Sequence, residues 1–142
     1  MSDSNIPLHI VFVEAWIKKG DKYLLAQRHP QDDQAAGKWT APGGKVEMEL
    51  EGDILENTLK REVMEEVGVE IENFRLLSNH SFIRSSGHYV VVLSFLADYK
   101  SGEARPLDDQ AEVRWVTLDE MERLLDKDWV EILRHLREVE GK

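Results

Sequence analysis

The stretch Arg61-Glu62-Val63-Met64-Glu65-Glu66-Val67-Gly68-Val69 closes a run from Asp53 to Val67 whose apolar residues recur at helical spacing. At about 100° per residue, with Leu55 at zero, Leu59, Val63 and Val67 fall near 40°, 80° and 120°, one apolar stripe that faces a core. On the same wheel Glu66 falls near 20°, Glu62 near −20° and Glu65 near −80°. The three carboxylates therefore overlap one border of the stripe, whereas an ordinary solvated face would lie opposite it. Asp53, with Glu56 three residues on, has the pattern of a capping box with Asp in place of Ser or Thr, and Gly68 supplies the stop.

Neighbouring carboxylates on a helix repel by roughly a few tenths of a kcal/mol per pair when exposed, and by more when partly buried. A hard divalent cation relieves that repulsion, because Mg²⁺ takes carboxylate oxygens and keeps waters for phosphate oxygens. Glu is also a good helix former, and on the helix alone that plainer reading comes first.

Outward from the helix, Leu8 to Ile17 is apolar and rich in β-branched residues, and Lys18-Lys19-Gly20-Asp21 turns it into Lys22 to Gln27, a hairpin. His29 to Lys38, with Pro30, Asp32, Asp33 and Gly37, has the composition of a surface loop. Trp39-Thr40-Ala41 forms a short strand stopped by Pro42-Gly43-Gly44. Past the helix, Phe74 to Ile83 and His88 to Tyr99 are strands joined at Arg84-Ser85-Ser86-Gly87. Lys100 to Gln110 is a polar loop, Glu112 to Val116 a strand, and Leu118 to Leu125 a short helix. Trp129, Ile132, Leu133, Leu136 and Val139 mark a C-terminal amphipathic helix. Strands around one helix with a second at the end predict an α/β domain with a mixed sheet, residues 1–142 forming one unit.

Composition sets limits on function. The 142 residues are 42% hydrophobic, enough for one core and too few to expect two. With no cysteine there is no disulfide, thiolate metal site or cysteine nucleophile, and a cytoplasmic protein is expected. Met1 to Pro7 lacks the features of a signal peptide, and no apolar stretch approaches the about 20 residues that span a bilayer. The net charge of −10 argues against stable nucleic-acid or membrane binding and makes a metal-bridged phosphate ligand more plausible than a lysine cradle.

Gly43-Gly44-Lys45-Val46-Glu47, followed by Arg61 to Val69, resembles the Nudix box of the MutT-like hydrolases, and Arg61 to Val69 matches its second half at every fixed position. Trp39 to Gly44 before it and Val113-Arg114-Trp115-Val116 after it extend the likeness. Two features depart from the pattern. Asp53 stands where the family has Glu, and Gly44 to Asp53 encloses eight residues, Lys45 to Gly52, rather than the family's five. The resemblance implies an α/β/α sandwich with a mixed central sheet, a catalytic helix and a C-terminal helix.

The same resemblance implies Mg²⁺, with Mn²⁺ as a substitute, held by Glu62, Glu65 and Glu66 with the Gly43 carbonyl as a backbone ligand. Arg61 then orients Glu62 or Glu65, and Glu65 and Glu66 take part in catalysis. Asp109 is the candidate general base, with Asp108 and Glu112 as rivals. The implied reaction is hydrolysis of a diphosphate linkage, first of a nucleoside triphosphate to the monophosphate and pyrophosphate. ADP-ribose and nucleotide sugars are alternative substrates, and a non-catalytic nucleotide-binding module is the competing class. The partner is thus a small nucleotide, with monomer and homodimer both open. Trp39, Phe82 and His88 are candidates for contact with a base, but core packing is the preferred reading for Trp39 and Phe82.

Overall fold

A computed structural model describes residues 9–31, 36–47 and 52–141. The N-terminal residues before His9, Asp32 and Asp33, and most of the long stretch after Glu47 lie outside the described residues. Among the described residues seven strands and three helices follow in order: β1 (His9–Lys19), β2 (Lys22–Arg28), β3 (Trp39–Thr40), β4 (Gly43–Lys45), α1 (Ile54–Val67), β5 (Glu70–Ile83), β6 (Tyr89–Ser101), β7 (Gln110–Val116), α2 (Leu118–Leu124) and α3 (Val130–Val139). A 3-10 turn, Lys127–Trp129, leads into α3.

The strands form one mixed sheet in the order β3-β2-β1-β6-β5, with β4 added to β1 and β7 to β2. β1 runs parallel to β6, from His9 against Tyr89 to Lys18 against Asp98, and antiparallel to β2 and β4. Because β1 is central and covered on both faces, it is buried without alternation from Val13 to Ile17, and apolar there except at Glu14. Val13, Ala15 and Ile17 pack with Leu24 and Ala26 against Leu59, Val63 and Val67 of α1. Trp16 packs on the other face with Tyr23, Leu25, Met121, Ile132, Leu133 and Leu136, beneath α2 and α3. Helices therefore cover both sides of a mixed sheet, the expected α/β/α arrangement. Among the described residues no helix is long and apolar enough to cross a membrane.

Some local expectations are corrected. Pro42-Gly43-Gly44 does not simply stop a strand: Gly43–Lys45 forms β4, pairing with Phe12 to Glu14 of β1. Asp53 is the N-cap residue of α1, yet its side chain makes no capping bond. Its φ of 58° and ψ of 44° are left-handed, whereas a side-chain cap needs an extended residue that presents its oxygen to the next amides. Asp53 contributes its carbonyl, which accepts from the Asn57 N–H at 2.9 Å, and Asn57 Nδ2 donates to the Gly52 carbonyl at 3.0 Å. Gly68, at φ 74°, closes α1 as expected. β5 begins earlier than Phe74, across an irregularity at Asn73, whose φ is 56°. Phe82 is 49% exposed and stacks on His80, so it is not a core residue. Trp39 is half-buried against the Trp16 cluster, with the Arg114 guanidinium 4.8 Å from its ring centre.

A full capping box occurs instead at α2, where Thr117 Oγ1 accepts from the Glu120 N–H at 3.3 Å and Glu120 Oε1 accepts from the Thr117 N–H at 3.1 Å. Thr117→Ala is expected to cost about 1 kcal/mol in urea denaturation. No measurable cost would mean that the packing of Met121 alone holds α2.

Glu14 is a buried carboxylate in the middle of the sheet. Its Oε2 accepts from Trp16 Nε1 at 2.9 Å and from Ser94 Oγ at 2.8 Å. Burial pushes its pKa up to about 7, against the opposing pull of those two hydrogen bonds. The fold thus binds the Glu14 proton more tightly than the unfolded chain does. The resulting penalty is absent below the ordinary value of 4.5 and grows as pH rises, reaching its full size above about 7. Glu14→Gln is expected to remove a loss on the order of 3 kcal/mol between those limits, provided that the amide keeps the Trp16 and Ser94 bonds. An unchanged slope of stability against pH would contradict this.

Candidate active site

The two glycines of β4 bring the sheet against α1. Gly43 N–H donates to Glu66 Oε2 at 2.9 Å. A Cβ at Gly43 would lie 2.1 Å from the Val13 carbonyl oxygen, so β1 and β4 approach each other in a way only glycine permits. A Cβ at Gly44 would lie 2.4 Å from Cδ of Glu62, so the β4 backbone runs directly beside that carboxylate.

The burial of the three glutamates follows their angles on the helix: Glu66 is 6% exposed, Glu62 is half-buried and Glu65 is exposed. Glu66 is the most constrained. Gln110 Nε2 donates to its Oε1 at 3.2 Å, and Arg28 lies 3.8 Å from the same oxygen. Its pKa is pushed up to about 7, first by burial. The Gly43 N–H and Arg28 oppose that shift, and the charges of Glu62 and Asp108 add to it. Glu62 is also raised by burial and by the charges of Glu65 and Glu47, while Arg61, 3.6 Å away, pulls it down. Arg61 thus stands against Glu62, one of the two partners expected for it.

Of the three loop acids, Asp108 is the one whose charge is felt at Glu66. It sits at φ 52° in the exposed turn that also holds Asp109, whose carbonyl accepts from the His29 N–H at 3.1 Å. Glu112 points its carboxylate to Arg114 at 3.0 Å. The turn is tied to the end of α1: the Arg105 N–H donates to the Val67 carbonyl at 3.0 Å and the Leu107 N–H to the Glu66 carbonyl at 2.9 Å. His88 meets Ser86 in the β5–β6 turn, and Lys45 is exposed at the end of β4.

Arg28, Gln110 and Glu47 join the site without having been singled out in the sequence. Arg28 and Gln110 are cross-strand partners where β2 and β7 shift register, which no local pattern signals. Glu47 stands beside the glycines in the same motif, and was open to notice there.

Among the described residues no three acidic or histidine side chains converge into a preformed metal centre. The donor chemistry nonetheless suits a hard cation. Glu47, Glu62, Glu65 and Glu66 supply only oxygens, the charges of Glu65 and Glu47 raise the proton affinity of Glu62 and that of Glu62 raises Glu66, and the Glu62 carboxylate occupies the space that a Cβ on Gly44 would fill.

A family model described as NUDIX domain matches residues 9–138. The NAD-capped RNA hydrolase NudC of Vibrio vulnificus is 35% identical over 106 residues, which make up 74% of this chain and 37% of that protein. The chain therefore spans well under half the length of this curated relative. Among solved structures, a MutT NUDIX hydrolase from Burkholderia pseudomallei superposes with a TM-score of 0.76 at 28% identity, covering 90% of this chain and 98% of that one. The NUDIX domain of Shewanella oneidensis NrtR, complexed with ADP ribose, shares the fold with a TM-score of 0.76 at 20% identity, over 97% of this chain and 92% of that one.

Proposed function

The chain belongs to the Nudix family of hydrolases, and from that premise we propose that it cleaves a diphosphate linkage in a nucleoside diphosphate derivative, first a nucleoside triphosphate. The observation that carries this reading is Glu66, buried and held by the Gly43 N–H beside Glu62, in a cluster of like charges that only a cation or a proton neutralises. Glu62, Glu65 and Glu66 are the side chains that would hold Mg²⁺ or Mn²⁺, with Gly43 as the backbone ligand. A divalent cation there supplies charge neutralisation at the phosphoryl oxygens and an acidified water.

This chain's own groups supply the rest. Arg61 orients Glu62. Arg28 sets a positive charge beside Glu66, at the edge where an anionic substrate has to be received. A carboxylate takes the proton of the attacking water, the new P–O bond forms, and the bridging P–O bond breaks toward the leaving phosphate. The turn of Asp108 and Asp109 is the source of that base, and the charge of Asp108 at Glu66 favours Asp108. The net charge of −10 supports a small nucleotide over a long RNA, including the capped RNA for which the NudC relative is named.

The experiment is incubation with Mg²⁺ and a panel of nucleoside triphosphates, nucleotide sugars, ADP-ribose and NAD, with products followed by ³¹P NMR. A monophosphate and pyrophosphate from the triphosphates are expected, with the rate cut at least about 100-fold in Glu65→Gln. Cleavage of ADP-ribose or a nucleotide sugar alone would move the substrate within the class. No cleavage of any substrate, with nucleotide binding retained, would leave a binding module in place of an enzyme.

A further inference from the structure

Gln110 belongs to none of the sequence motifs, yet its side chain is committed to the site. It is 8% exposed, its Nε2 donates to Glu66 Oε1 at 3.2 Å, and its own Oε1 is buried with no hydrogen-bond partner among the described residues. With Glu66 ionised, as it is when it holds a cation, a half-turn of the amide gives no relief, because it would set the carbonyl oxygen against the carboxylate, acceptor to acceptor. Glu66 therefore fixes the amide in the orientation that leaves Oε1 bare. Buried carbonyl oxygens are rarely left without a donor in folded proteins, and one beside a metal-binding carboxylate points to a ligand that carries protons.

The backbone reinforces the commitment. The Gln110 N–H donates to the Leu107 carbonyl at 3.0 Å, and the Leu107 N–H to the carbonyl of Glu66 itself at 2.9 Å. Gln110 also pairs across the sheet with Arg28, the cation beside the same Glu66 oxygen. Loop, strand and side chain all register Gln110 to Glu66.

We propose that Gln110 is a positioning residue. Its amide N–H orients Glu66, and its bare carbonyl oxygen accepts a hydrogen bond from a water that enters with the divalent cation. This rests on the metal reading given above. Partners that orient metal ligands in this way change metal affinity by about 10- to 100-fold when removed.

The test is Mn²⁺ alone, titrated into the substrate-free protein and followed by the electron paramagnetic resonance of free Mn²⁺. Gln110→Leu, which keeps the bulk and removes both polar atoms, is expected to weaken binding about tenfold. In turnover it is expected to lower kcat while leaving KM near the parent value. Gln110→Glu, which keeps an oxygen acceptor, is expected to bind Mn²⁺ more tightly than Gln110→Leu. In a Glu66→Gln background the Leu change should cost clearly less than in the parent, because the part of its effect that runs through Glu66 is already lost. Binding by Gln110→Leu within twofold of the parent, or a loss that adds in full to that of Glu66→Gln, would overturn the proposal. Should Gln110→Leu fail to fold by circular dichroism, Gln110→Met serves the same comparison. If Glu66→Gln itself binds Mn²⁺ like the parent, the metal reading fails; if it does not and the Gln110 variants bind normally, only the role of Gln110 fails.

Discussion

Glu66→Gln is expected to lower turnover by about 100- to 10,000-fold while making the metal-free protein more stable at and above neutral pH. Both effects have one cause. Glu66 is held in a place that disfavours its charge, and its pKa stands near about 7 instead of 4.5. Below 4.5 the carboxyl is protonated in the folded and unfolded chains alike, so there is no penalty. Between the two values the folded chain binds the proton more tightly, and its stability falls as pH rises. Above about 7 the group is ionised in both states and the full penalty applies. A glutamine is neutral throughout and still offers an oxygen to the Gly43 N–H. The variant should therefore match the parent at pH 4.5 and exceed it by roughly 1–3 kcal/mol at pH 8 in the presence of EDTA. Urea denaturation at the two pH values measures this. A variant less stable than the parent at pH 8 would mean that the carboxylate supports the fold, and full activity would remove Glu66 from the chemistry.

Gly43→Ala should damage the fold itself, by about 3 kcal/mol or more. The added Cβ would lie 2.1 Å from the Val13 carbonyl oxygen and 2.7 Å from the Glu14 Cα, both backbone atoms of the central strand. Relief requires β4 to leave β1, and the Gly43 N–H bond to Glu66 leaves with it. Gly44→Ala is the informative control, because its Cβ meets the far end of the Glu62 side chain at 2.4 Å. A side chain can swing away. Gly44→Ala is thus expected to change stability by less than about 1 kcal/mol and to lose activity through displacement of Glu62. Chemical denaturation and turnover together separate the two glycines, and equal stabilities of the two variants would refute the distinction.

The order in which the carboxylates are buried is legible in the sequence. Glu66, Glu62 and Glu65 step away from the apolar stripe of α1 in that order, and they become exposed in that order. Helix periodicity is local, so residues three or four apart report on each other directly. The same locality made the β5–β6 hairpin and the apolar face of α3 readable, along with the Gly68 stop. It failed at Asp53, where the residue type suggested a side-chain cap and the path of the chain into the helix imposed a left-handed backbone instead.

What surrounds the carboxylates was decided by tertiary structure. Gln110 is 44 positions from Glu66, and Ser94 is 80 from Glu14. Such contacts depend on which strands become neighbours and in what register, and each strand's own sequence records only which of its faces is apolar. The sequence by itself determined a helix with three acids at the edge of its buried face. Only the packing of β4, β2 and β7 around that helix decided that Glu66 would be raised as far as about 7, because burial and long-range partners are properties of the assembled sheet.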